Sequence, residues 1–159
     1  MGKINMQKVL VGGLIAGFVL NVIDFVLFGV VLKAQMAAAM QALGKPPMPD
    51  SMIPWFVVLD FVAGIFLVWL YAAIRPRFGA GPGTAAKAGV AGWFLGSLLV
   101  ALFMWPMALM PHNLMIITTL VALVQWPLAT VIGAKFYTEG AGMGAGMGSG
   151  AGAHMGARM

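Results

Sequence analysis

The sequence predicts an all-α fold, a four-helix transmembrane bundle with N-in/C-in topology. Three observations carry that expectation. Hydrophobic residues make up 62% of the 159 positions and charged residues only 8%. An ordinary soluble domain carries about 25% charged residues, so most of this surface cannot face water. Four apolar runs, residues 9–32, 52–74, 88–110 and 114–134, each reach the roughly 20 residues that a helix needs to cross a bilayer. Basic residues alternate between the two sides. Lys3, Lys8, Arg75, Arg77, Lys87, Lys135 and Arg158 fall on one side, and only Lys33 and Lys45 on the other. Positively charged segments stay in the cytoplasm, which places both termini there.

The first run is broken only by Asn21 and Asp24. Lys3 and Lys8 ahead of it and Ala37-Ala38-Ala39 beyond it resemble the flanks of a secretory signal. The apolar core of such a signal spans only about 7 to 15 residues, so this run is expected to be a retained helix. Met36, Met40 and Leu43 then recur at helical spacing, which predicts a short helix lying on the membrane surface. Gly44 is expected to stop it, and Pro46, Pro47 and Pro49 to keep the chain extended. Asp50 or Ser51 has the chemistry to cap the second helix, whose run is broken only by Asp60.

Residues 75–84 are rich in Pro and Gly, with Thr84 the expected cap of the third helix. The third and fourth runs carry no charge, and Pro111-His112-Asn113 suits a tight hairpin between them. Trp105-Pro106 and Trp126-Pro127 predict kinks, and Trp55, Trp69 and Trp93 suit interfacial or packing roles. This membrane domain covers residues 1–138. Residues 139–159 alternate Gly, Ala and Met without helix or strand periodicity, which predicts a flexible tail.

Two glycine pairs at a spacing of four stand out, Gly13 with Gly17 and Gly92 with Gly96. Each puts two glycines on one helix face, where they permit close helix packing. Phosphate binding is not expected of them, because no strand precedes either pair. Lys8, Gly13 and Gly17 recur in spacing as Lys87, Gly92 and Gly96, the pattern of a parallel repeat of two hairpins. The same pattern follows if each helix start independently needs a basic residue and small residues.

Asp24 and Asp60 are the strongest functional signal, because a charge within a membrane helix is costly. Counted at about 1.5 Å per residue, both lie roughly 10 to 12 Å below the outer surface. Asn21 stands one turn from Asp24, and Gln125 of the fourth helix falls at a similar depth. These four residues are expected to form one intramembrane polar cluster. It would fasten helices together, handle protons or cations, or meet a partner protein. Two adjacent carboxyls cannot both carry charge cheaply.

Other chemistry has little to stand on. Cysteine is absent, which removes disulfides and thiolate metal sites. His112 and His154 both lie outside the bundle interior, where haem ligands would be needed. Met143, Met147, His154, Met155 and Met159 are soft donors but irregularly spaced. No cofactor or metal is expected. Ser97, Thr118, Thr119 and Thr130 have no neighbouring base, so no enzyme is expected either. The net charge of +5 reads as a topology signal and not as nucleic-acid binding.

The run LVGGLIAGFVLNVIDFVLFGVVL, followed by AAMQALGKP and LVWLYAAIRPRFGAGPGTA, resembles an uncharacterised family of small bacterial four-helix integral membrane proteins. The resemblance covers residues 8 to 138 and is most specific over residues 67–85. It implies a four-helix fold in the bacterial inner membrane and carries over no activity or site residue. The leading expectation is a non-catalytic accessory or assembly subunit of a larger membrane complex. Its partners would be the lipid bilayer and other membrane-protein subunits or further copies of the chain. The alternatives are a small transporter or proton- or cation-conducting protein using Asp24 and Asp60, and a lipid- or quinone-binding protein.

Overall fold

A computed structural model describes residues 3–139; residues 140–159, nearly all of the expected flexible tail, lie outside the described residues, with Met143, Met147, His154, Met155, Arg158 and Met159. The elements follow as α1 (Met6–Val26) running into a π-helical turn (Leu27–Val31), α2 (Lys33–Ala42), a 3-10 turn (Asp50–Met52) and α3 (Ile53–Phe78). Then come α4 (Pro82–Trp93), a second π-helical turn (Phe94–Leu98), α5 (Leu99–Met104), a 3-10 turn (Trp105–Met107) and α6 (His112–Ala134). Joined through their turns, these make four helices long and apolar enough to cross a membrane: Met6–Val31, Asp50–Phe78, Pro82–Met107 and His112–Ala134. The chain is a helical bundle with the architecture of a multi-pass membrane protein. Helical spans are what a bilayer requires, since lipid satisfies no backbone N–H or C=O group.

The bundle is arranged as a ring. α1 lies between α3 and α6, α4 lies between α3 and α6 on the opposite side, and α3 meets α6 across the diagonal. Both described termini lie at one end, where the Asn5 backbone N–H donates to the Tyr137 hydroxyl at 3.4 Å.

Small residues bring the helices together. A Cβ on Gly64 of α3 would meet the Gly13 carbonyl oxygen at 2.5 Å, and one on Gly17 would meet the Phe61 Cα at 2.6 Å. Gly12 and Gly133 stand in the same relation between α1 and α6, each Cβ position 2.5 Å from the other's carbonyl oxygen. Around these crossings pack the buried side chains of Val9, Ala16, Leu20, Leu67, Val68, Ala85, Ala88 and Ala129. Without a hydrophobic drive between helices in lipid, such close approach is the main source of packing energy.

At the far end, α2 folds over the bundle. Leu27, Leu32, Ala39 and Leu114 form a second buried cluster, with Met36, Met110 and Val121 packed against it. α2 ends at Ala42, and Gly44 follows with φ +67°. That left-handed turn suits glycine, which has no Cβ to clash.

Three local expectations need correction. Neither Asp50 nor Ser51 caps the second span; the chain enters α3 through the 3-10 turn, and no side chain bonds the first amides. Thr84 does not cap α4 either. Gly81, at φ +134°, takes the capping position, and the buried Thr84 hydroxyl donates back to the Phe78 carbonyl at 3.2 Å, tying α4 to α3. Trp105-Pro106 does not kink a continuing helix. The chain tightens into a 3-10 turn there, and Ala108 adopts a left-handed conformation at φ +51°. The His112 ring stacks on Trp105 at 4.1 Å across this turn.

Candidate functional site

The polar cluster assembles from three helices. Asp24 projects from α1, Asp60 from α3 and Gln125 from α6. Gln125 is 4% exposed, and its side-chain Nε2 donates to Asp24 Oδ1 at 2.9 Å and approaches the Leu20 carbonyl at 3.5 Å. The Asp24 and Asp60 carboxyls lie within hydrogen-bonding reach of each other. They meet because Gly17 lets α1 run directly against α3 at Asp60 and Phe61. A bulkier residue at position 17 would push the two carboxyls apart.

Asn21 stands beside the cluster but is not bonded into it. Its side-chain Nδ2 donates to the Gly17 carbonyl at 2.9 Å and to the Val57 carbonyl at 3.3 Å. It therefore links α1 to the backbone of α3, one turn from the carboxyls. Both aspartates are only half-buried. No lysine or arginine occurs between Lys8 and Lys33, between Lys45 and Arg75, or between Lys87 and Lys135, so no basic residue occurs within the stretches that hold the carboxyls. Two carboxyls at this separation can hydrogen-bond only when one of them carries a proton.

The two glycine pairs play different parts. Gly13 and Gly17 face the backbone of α3, whereas Gly96 faces the Trp126 indole and Gly92 lies between that indole and the Leu67 side chain of α3. A Cβ on Gly96 would meet Trp126 Cη2 at 2.5 Å, and one on Gly92 would meet Trp126 Cε3 at 3.2 Å. The glycine of α4 that meets α6 backbone is Gly89, set against Trp126 and Pro127. Trp93 braces the same pair of helices by donating from its indole Nε1 to the Thr119 carbonyl at 2.8 Å.

Comparison with known proteins found no matching family model, no matching curated protein and no matching solved structure.

Two arrangements escaped sequence reasoning. Gly12, Gly64, Gly89 and Gly133 all sit at helix crossings, yet none belongs to either pair read from the sequence. A search for any glycine inside an apolar run would have found them. The second is a network at the end that carries the termini. Tyr137 is 5% exposed; its ring meets Tyr71 edge-on at 5.9 Å, and the Arg75 guanidinium lies 5.6 Å from its centroid. Arg75 also pairs with Glu139 at 3.6 Å. The Tyr71 hydroxyl accepts from the Gly81 backbone N–H at 3.3 Å. The network holds the segment after α6 against α1 and α3. Its sequence signal was faint, because the partners lie far apart in the chain.

Proposed function

We propose that the chain is a non-catalytic accessory or assembly subunit of a larger membrane complex, seated in the bacterial inner membrane with both termini in the cytoplasm. The observation that carries this reading is the incomplete cover over the Asp24–Asp60 pair. Both carboxyls are half-buried within spanning helices, where a lipid-facing aspartate costs about 3 kcal/mol on insertion scales. Residues 51–59, which lead into Asp60, are all exposed, and no residue from 100 to 109 is buried. These stretches present Trp55, Phe56, Phe103 and Trp105. A helix from another chain laid along the start of α3 would cover Trp55, Phe56 and the exposed side of Asp60 together. The orientation follows from the basic asymmetry, and the bacterial membrane from the family resemblance. Purification in native membrane extracts, with mass spectrometry of co-purifying chains, tests the proposal. Stoichiometric membrane partners are expected. A lone chain or homo-oligomer would count against it.

A second reading, a small proton- or cation-conducting protein, is favoured by the contact between the two carboxyls. Its test is flux into liposomes. Asp24→Asn and Asp60→Asn variants that assemble normally but abolish a wild-type flux would support it. Absence of wild-type flux would remove it.

A further inference from the structure

Charge divides sharply between the two ends of the bundle. The chain has four acidic residues, Asp24, Asp50, Asp60 and Glu139. Asp24 and Asp60 are internal to the spans, and Asp50 lies at the far end with Lys33 and Lys45. The end that carries the described termini therefore holds Lys3, Lys8, Arg75, Arg77, Lys87 and Lys135 against Glu139 alone. Glu139 is already engaged, paired with Arg75. Arg75 is in turn half-buried and lies over Tyr137. The remaining five basic side chains are exposed and have no acidic partner among the described residues.

Arg77 and Lys87 are the best placed of the five. Arg77 closes α3, and Lys87 stands in the second turn of α4, on opposite sides of a short connection. The Lys87 ammonium lies 5.0 Å above the Phe78 ring, which fixes its position beside the exposed Phe78. Phe136 is also exposed, next to Lys135. Basic heads beside exposed aromatic rings at the end of a spanning helix match the two layers of a membrane interface, charged headgroups above and acyl chains below.

We infer that this end of the bundle is a docking surface for anionic phospholipid headgroups, centred on Arg77 and Lys87. The phosphate and any further headgroup charge meet the basic side chains, while Phe78 rests at the acyl boundary. Each basic residue at an anionic surface contributes about fivefold in affinity. The attraction weakens with salt, since screening at physiological ionic strength acts over about 8 Å.

The test presents the purified protein with an equimolar mixture of phosphatidylglycerol and phosphatidylcholine and counts retained lipids by native mass spectrometry. Preferential retention of phosphatidylglycerol is expected, falling as salt rises. The Arg77→Gln/Lys87→Gln double variant should lose that preference by tenfold or more. The Lys33→Gln/Lys45→Gln variant, which removes the same charge from the far end, should keep it. Equal retention of the two lipids by the wild-type protein overturns the inference, as does equal loss in both double variants. Displacement of phosphatidylglycerol by polyglutamate at matched charge overturns it in favour of an acidic protein partner.

Discussion

Gln125 donates to the Asp24 carboxylate at 2.9 Å across a sequence separation of 101, the one side-chain-to-side-chain hydrogen bond that joins α1 to α6 among the described residues. Interhelical bonds of this kind in membrane proteins contribute about 0.6 kcal/mol on average and up to about 1.7. Gln125→Leu keeps the volume, removes the donor and should lower stability within that range. Asp24→Asn keeps an acceptor and should cost less. Unfolding in mixed detergent measures both. A double-mutant cycle with no coupling between positions 24 and 125 would show that the bond contributes nothing.

Gly64 and Gly83 make a matched comparison. A Cβ at Gly64 would meet the Gly17 amide nitrogen and the Gly13 carbonyl, whereas one at Gly83 meets nothing within 4 Å. Gly64→Ala is expected to cost about 1–3 kcal/mol through overpacking against backbone that cannot give way. Gly83→Ala should be neutral or slightly stabilising, since alanine favours the helical state. Thermal melting of the two variants in one detergent separates them, and similar melting points would refute the close crossing of α1 and α3.

The contact between Gly96 and the Trp126 indole predicts a rescue. Gly96→Leu should reduce folded yield because its side chain occupies the indole's place. Trp126→Ala vacates that place, so the double variant should recover part of the loss. Gly17→Leu has no such remedy, because its obstacle includes the Phe61 backbone. Size-exclusion yield in detergent reads all of these. A double variant no better than Gly96→Leu alone would contradict that contact.

Topology can be read with reporter fusions at residues 45 and 79. The proposed orientation, argued from the basic asymmetry, expects residue 79 in the cytoplasm and residue 45 on the opposite side. Reports from the same side, or an external residue 79, would refute the orientation.

The four spans were legible because length and hydropathy alone impose them: a run of about 20 apolar residues has few other stable fates. The glycine stop after α2 was legible for an equally local reason. The caps at Asp50, Ser51 and Thr84 were not. A polar side chain before an apolar run has the right chemistry, but here backbone turns at Asp50–Met52 and Gly81 start the helices instead. Within the cluster, the depth count matched Asp24 with Asp60, and Gln125 joins them. Asn21 shares their neighbourhood yet bonds to backbone, a choice fixed by how closely Val57 approaches. Sequence spacing along one helix carries no information on that approach. The place of Trp126 against Gly96 was hidden for the same reason, since two glycines mark a groove without saying whether backbone or a side chain fills it.

The π-helical turn at Phe94–Leu98 bears on the apparent duplication of the chain. Such a turn holds one residue more than an α-helical turn, so it rotates everything after it by about 100° around the helix axis. Lys87, Gly92 and Gly96 follow Lys8, Gly13 and Gly17 at a constant offset of 79 positions. In α1 the matching stretch stays α-helical past Asp24, and its own π turn begins only at Leu27. The position offset by 79 from Asp24 is Phe103, which is 75% exposed. An ungapped alignment of the two halves therefore pairs an inward carboxylate with an outward ring. The halves fall out of phase within a single turn, and the third span has no counterpart for the acid of the first.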